Sequence, residues 1–410
     1  MDPDVRRPLL ADDAWIGPLR PTHPRRVVVV GGGATALEAV LALHGLAVDD
    51  LVVTLIAPER ELVLPRGPGR ARAPEIALED FMAELDWRFR RTALLEVDAE
   101  RGTVRCATGP DEPYDALVVA TGASAQPAFR DAVTFDPDDL LLDAVLDGLQ
   151  PDSARSVAFV VPRASAWPLA LYELILSAAD AVWSRGLRGV RLHLVTPERA
   201  PLDMFGVEAG TAVAGLLRAA GIAVHRSDSP DVMRGGRVRL GPEEVLDVDR
   251  VVALPVPRGR RLGGLPSDAR GFLPVDPRGR VSGVDAVYAA GSATDRPIGD
   301  GGLACQQADT VAAHVAAEAG VPVVALPYAP VLRGRLTVGH PARFARPARG
   351  RHTPPASAAP LWWPPAHVSA RLLGPYLRTR GIVEPFPAHQ VPDEGVDVGL
   401  PLRPLDRRGG

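Results

Sequence analysis

Residues 25–40 read RRVVVVGGGATALEAV, and this stretch limits the fold more than any other. A run of valines reads as a strand buried on both faces. It runs straight into three glycines and then into a helical pattern that ends near Gly45. LVVTLIAP at 51–58 follows as a second buried strand, so 25–58 is a βαβ unit of a parallel sheet. Within the turn, Gly31, Gly33 and Ala36 keep the spacing G-x-G-x-x-A. Gly31 permits a tight exit from the strand, Gly33 lets backbone approach a pyrophosphate, and Ala36 allows close helix–sheet packing. The helix start offers free N–H groups and a partial positive charge to that phosphate. A strand before the motif and a helix after it are the context such a motif requires. An acidic residue after the second strand would hold a ribose. The first acid there is Glu59, 26 residues beyond Gly33, and it is either that ligand or a solvated surface residue.

Composition narrows the chemistry. The chain has 410 residues, enough for two or three domains, and 46% are apolar, enough for real cores. Aromatics make up only 5%, so Ala, Val and Leu must build those cores. There is no lysine and no asparagine, so all 46 basic residues are arginine. A P-loop lysine, a lysine Schiff base and a lysine general base are therefore excluded. The net charge of -4 gives no general attraction to nucleic acid or anionic membrane. The two cysteines, Cys106 and Cys305, form no C-x-x-C pair, and the nine histidines show no metal-ligand spacing. MDPDVRRPLLADDAW at the start lacks the apolar core of a signal peptide, and no apolar run nears the ~20 residues needed to span a bilayer. A cytoplasmic protein is the expectation.

A second unit repeats the first. SVAFVV at 156–161 reads as a strand, 168–183 as a helix and GVRLHLVTPERAP at 189–201 as the next strand. LIAPERE at 55–61 and LVTPERA at 194–200 share P-E-R at the same point, which suggests an internal duplication. Two further segments end in glycine after a short strand: YDALVVATGA at 114–123 and VDAVYAAGSATD at 284–295.

The three glycine segments, in this order and spacing, resemble flavoproteins with two dinucleotide-binding domains. Among these pyridine nucleotide-disulfide oxidoreductase-like proteins, the chain looks most like the sulfide:quinone reductase and type II NADH dehydrogenase branch. The resemblance covers about 25–325. It implies an α/β fold with two Rossmann-like domains, the second inserted in the first, plus a C-terminal extension. The implied division is an N-terminal arm at 1–24, an FAD-binding domain at 25–150 and 263–325, an NAD(P)-binding-like domain at 151–262 and the extension at 326–410. The implied cofactor is FAD, with Gly31, Gly33 and Ala36 at the pyrophosphate, Glu59 at the ribose, Thr121 and Gly122 beside the adenosine, and Gly291, Ser292, Gly302 and Leu303 along the ribityl chain and flavin. The implied activity is an FAD-dependent oxidoreductase that passes electrons from a small-molecule donor to a quinone or another acceptor. The readings that stand beside it are an NAD(P)H-dependent reductase and a non-catalytic scaffold with degenerate sites.

Departures from the family motivate those alternatives. Ser292 stands where relatives carry aspartate, and a hydroxyl can still donate to a phosphate or ribityl oxygen. Gly299 and Asp300 precede GGLA where relatives often carry lysine. An aspartate there would disfavour the anionic reduced flavin and lower the potential. The turn of the second unit, PRASAWP at 162–168, has no glycine, and its prolines lack N–H groups. Trp167 has the bulk to fill the pyrophosphate groove, unless Arg163 and Ser165 take the phosphate in another way. Cys305, at the start of a helix, is either a reactive thiol or small apolar filler. Gln306 and Gln307 match glutamines that line the quinone end of the pocket in relatives, or are ordinary helix residues. Trp362 and Trp363, with the arginines of HVSARLLGPYLRTRG, either touch a membrane face or pack on the body or on a second subunit of a homodimer. Gly374 and Pro375 interrupt any long amphipathic helix there.

Overall fold

The structure is a computed structural model. It describes residues 23–62, 76–135, 156–165, 167–187, 189–296, 299–336, 343–345, 356–357 and 370–381. Trp362 and Trp363 and most of the N-terminal arm lie outside these residues. Along the chain the main elements are β1 (Arg25–Val30), α1 (Ala34–Ala47), β2 (Leu51–Ala57), α2 (Leu78–Ala83), β3 (Arg88–Arg91), β4 (Ala116–Val119), β5 (Val133–Thr134), β6 (Ser156–Val160), α3 (Leu169–Ser184), β7 (Arg191–Thr196), α4 (Val207–Ala219), β8 (Ala223–Arg226), β9 (Arg250–Ala253), β10 (Val287–Ala289), α5 (Gly301–Glu318) and α6 (Leu373–Thr379).

Two parallel sheets organise them. The first has the order β10-β4-β1-β2-β3, the second β5-β9-β6-β7-β8. The last strand of the first sheet, β10, follows the whole second sheet in sequence, so the second domain is inserted in the first. The strand β5, upstream of residue 150, already pairs in the second sheet. An antiparallel ribbon, Ala123–Gln126 with Val256–Gly259, carries the chain out and back.

The valine runs become central strands because both faces are covered: Val27 to Val30 are each at most 2% exposed. On one face α1 packs against α5 through small residues, with Ala36, Ala39 and Val40 meeting the helix that carries Ala308, Val311 and Ala312 in one core. Small side chains let the helix backbones come close, which is how a chain poor in aromatics fills this space. The second sheet has its own core around Phe159, Tyr172, Ile175 and Phe205.

The C-terminal extension crosses both domains. Leu332 and Leu336 sit in the second core, and α6 returns to bury Leu373 and Leu377 in the first. Pro375 falls in the first turn of α6, where its missing N–H costs nothing, so it starts this short helix instead of interrupting it. The apolar side chains of α6 that the sequence offers to a membrane face are therefore turned into the body. No helix among the described residues is long and apolar enough to cross a membrane.

Candidate functional site

The site lies where strand ends converge. β1, β2, β4 and β10 are parallel neighbours, so their carboxyl ends deliver Gly31, Glu59, Thr121 and Gly291 to one edge of the sheet. In open α/β sheets, that edge is where ligands bind.

Each glycine there has a distinct reason. Gly31 has φ +136, and a Cβ on it would come 2.2 Å from the Ala120 carbonyl oxygen. Only glycine fits that turn. Gly33 is the N-cap of α1, and a Cβ on it would meet nothing within 4 Å. Its backbone therefore borders open space, which a side chain would enter. No side chain caps α1 and its first turn holds no acid, so its positive end is left to a ligand. A Cβ on Gly32 would lie 3.0 Å from Oε2 of Glu59, so the exposed Glu59 carboxylate stands over this loop. Ala36 is fully buried in the helix–sheet core.

The other predicted residues divide. Thr121 and Gly122 are half-buried beside this loop, and the Thr121 amide would lie 3.3 Å from a Cβ on Gly31. Gly291, with φ +71, is in close contact with α1, for a Cβ there would lie 2.8 Å from Thr35 Oγ1. Gly291 donates its N–H to Gln307 Oε1 at 2.8 Å, and Thr294 Oγ1 donates to the Gly291 carbonyl at 2.9 Å. Half-buried Ser292 follows in the same short 3-10 turn. Gly302 is buried in the first turn of α5. Leu303 is committed elsewhere: its side chain joins the second-domain core, its amide donates to Asp300 Oδ1 at 2.8 Å and its carbonyl accepts from Tyr328 Oη at 2.9 Å. Asp295 accepts from the Val275 amide at 3.3 Å, a structural bond within the neighbouring loop.

The structure gives the remaining singled-out residues their places. Asp300 is the N-cap of α5, its side chain accepting the Leu303 amide at the positive end of that helix. Cys305 is 1% exposed and donates weakly to the Ala34 carbonyl at 3.7 Å. It lies one turn inside α5, and burial pushes its thiol well above the usual range, which makes it filler and not a nucleophile. Cys106 is also buried, in the hairpin strand Thr103–Cys106, and burial raises its thiol too. Gln306 and Gln307 both engage backbone of the protein itself. Gln306 bonds both ways to the Val331 backbone, at 2.7 and 3.1 Å, and Gln307 holds Gly291.

The second domain closes its corresponding site. Trp167 leans edge-on to Phe205 with ring centres 5.8 Å apart, and a Cβ on Gly299 would lie 3.6 Å from Trp167 Cβ. The turn folds on itself, with the Ser165 amide donating to the Pro162 carbonyl at 2.9 Å. α3 starts from Pro168, which has no N–H to offer. Glu198, the counterpart of Glu59, accepts from Tyr172 Oη at 2.6 Å and Thr196 Oγ1 at 2.8 Å. Burial raises its carboxyl, and the Tyr172 and Thr196 hydrogen bonds pull it down.

The comparisons agree with this geometry. Residues 7–140 match the family described as pyridine nucleotide-disulphide oxidoreductase. No curated protein sequence matches the chain. Among solved structures, the chain is similar to the sulfide:quinone oxidoreductase of the hyperthermophilic bacterium Aquifex aeolicus, with TM-score 0.68 and 18% identity over 79% of this chain and 84% of that one. It is also similar to a ferredoxin reductase from Rhodopseudomonas palustris, with TM-score 0.55 and 17% identity over 78% and 81% of the two chains. NDH2 from Plasmodium falciparum, in complex with NADH, gives TM-score 0.52 and 16% identity over 66% and 65%. Identities this low speak for the fold. They show the same arrangement of two parallel-sheet domains, and the family match lies in residues 7–140 of this chain.

Proposed function

We propose that the protein is an FAD-dependent oxidoreductase that takes electrons from a small molecule other than NAD(P)H and passes them to a quinone. The observation that carries the FAD reading is the open space at Gly33, beside the uncapped end of α1 and the Glu59 carboxylate over the adjoining Gly32. These residues fit an adenine dinucleotide. The Gly33 turn and the amides of α1 would hold the pyrophosphate, Glu59 the ribose, and the Gly291–Ser292 turn the stretch toward the flavin. Bound FAD supplies two-electron chemistry, while the protein sets access and potential. Ser292 would meet the cofactor with a neutral hydroxyl, which can donate to phosphate without adding charge.

The second domain supports the choice of donor. Its turn lacks glycine, Trp167 occupies the mouth, and Glu198 is held by Tyr172 and Thr196. None of these fits a second dinucleotide. The quinone reading draws support from the likeness to the sulfide:quinone oxidoreductase and to NDH2. Disulfide chemistry on the protein's own thiols has no support, with both cysteines buried and in separate elements. A cytoplasmic location belongs to the same proposal, and so do the domain limits given above, except that the second domain already takes β5 from upstream of residue 150.

The test is the visible spectrum of the desalted protein with flavin counted per chain. About one flavin per chain, slow bleaching by NADH and NADPH, and re-oxidation by a soluble quinone would support the reading. A colourless protein that takes up no added FAD would refute it in favour of a scaffold. Rapid bleaching by NADH would instead favour the nicotinamide-dependent reductase.

A further inference from the structure

The adjacent residues Gln306 and Gln307 each use their side-chain amide to hold backbone from a distant part of the chain. Gln307 is 3% exposed, and its Oε1 accepts the buried Gly291 amide, 16 residues upstream, at 2.8 Å. Gly291 must take φ +71 and press against Thr35 in the first turn of α1. Its N–H therefore needs an acceptor inside the protein, because a buried amide left unpaired is costly. Gln306 faces the other way. Its Oε1 accepts from the Val331 amide at 2.7 Å, and its Nε2 donates to the Val331 carbonyl at 3.1 Å. A residue fully bonded on both sides in this way is fixed like a strand pair. Directly after Val331, Leu332 and Leu336 enter the second-domain core, and Gly334 lies so close to Phe205 that a Cβ there would come within 2.4 Å of its Cζ. Tyr328, just before, bonds to the Leu303 carbonyl. The first two turns of α5 thus touch both the turn that faces α1 and the strap that crosses to Phe205, which in turn backs Trp167.

We propose that Gln307 is the positioning residue of the Gly291–Ser292 cofactor turn, and that Gln306 beside it pins the C-terminal strap at Val331. The pair fixes the seam between the two domains. The cofactor part of this assignment rests on the FAD reading; the backbone part does not.

Amide hydrogen exchange separates the two. In the flavin-free protein, Gln307→Leu should speed exchange at Gly291 at least tenfold and leave Val331 unchanged. Gln306→Leu should do the reverse. Gln307→Glu keeps an acceptor for Gly291 and should restore its protection. In the flavin-loaded protein, Gln307→Leu should weaken FAD about tenfold, the weight of one hydrogen bond, and shift the flavin absorption. Gln306→Leu should leave FAD affinity within about twofold. Should Gln307→Leu fail to fold, Gln307→Ala is read the same way. Wild-type protection of Gly291 in a folded Gln307 variant overturns the clamp. Unchanged FAD affinity and spectrum in Gln307→Leu overturn its positioning role. A wild-type protein that never holds FAD refutes the functional reading, and the exchange data then decide the clamp alone.

Discussion

Glu38 allows a quantitative test of how the C-terminal segment is held. It lies in α1, is 0% exposed, and accepts the amides of Leu372 and Leu373 at 2.9 and 2.6 Å. It thereby caps α6 from 334 residues away. Burial raises its carboxyl from the ordinary 4.5 to about 7, the neighbouring Asp309 adds to the rise, and the two amides and Arg371 work against it. Asp309 is itself paired with Arg371 at 2.9 Å. Because the folded value lies above the unfolded one, this group's contribution is fully present below pH 4.5 and is lost as pH rises through about 7. Between pH 5 and pH 8 the loss works out at about 2.5 kcal/mol. Glu38→Gln has nothing to titrate and lacks this slope. Calorimetric melting at both pH values reads the effect. The midpoint gap, wild type minus variant, should be larger at pH 5 than at pH 8 by about 5–10 °C, if the affected domain melts like one of 150–250 residues. Titration of Asp309 occurs in both proteins and largely cancels. An equal gap at the two pH values would show that Glu38 is not a buried carboxyl titrating near neutrality, and the reasoning would fail.

Other expectations are simpler. Gly31→Ala places a Cβ 2.2 Å from the Ala120 carbonyl at φ +136, so it should abolish soluble folded protein. Gly33→Ala, whose Cβ meets nothing within 4 Å, should instead melt like wild type but purify with little flavin. Equal behaviour of the two variants would contradict the division between turn and cradle. Cys305 should resist alkylation at pH 8 until the chain is denatured, and Cys305→Ala should keep flavin turnover within about twofold of wild type; labelling of the native thiol would refute its role as filler. Tyr172→Phe removes a donor from Glu198 and should destabilise the second domain by about 1–3 kcal/mol in urea unfolding, whereas a neutral effect would mean that the bond is weak.

How much was legible in the sequence depended on the range of each interaction. The β1–α1 turn was readable because the glycine spacing and the valines and alanines that set the strand and helix around it are local, although the carbonyl that bars a side chain at Gly31 belongs to the distant Ala120. The loop PRASAWP was readable for the same reason: proline and tryptophan act where they stand. Gln306 and Gln307 were not, because their partners lie 25 and 16 residues away and a helix sequence does not reveal which backbone it will meet. Cys305 stayed open in the sequence between thiol chemistry and filler, because what decides it is burial against Ala34 of α1, a contact 271 residues away. Glu38 carried no signal at all. An acid in an apolar helix pattern reads as a solvated position until a distant segment folds over it.

The two acids of the repeated P-E-R show how one local pattern can lead to an open site and a closed one. Glu59 and Glu198 stand after the second strand of their respective units. Local sequence delivers both to the same place. What differs is the helix that precedes each one. In the first unit α1 carries Leu37 at the place of Tyr172, without a hydroxyl to offer, and the Glu59 carboxylate stays exposed over the Gly32 loop. In the second, α3 brings Tyr172, fully buried, whose hydroxyl reaches Glu198 and, with Thr196, satisfies it internally. A ribose would have to displace both donors and desolvate the acid again, a cost that a free Glu59 never meets. Smaller substitutions at Trp167 alone should therefore not suffice to create a nicotinamide site. Trp167→Gly combined with Tyr172→Phe would have to gain measurable ADP-ribose binding by calorimetry where Trp167→Gly alone does not, and equal heats from the two would show that Glu198 is not part of what keeps the second domain closed.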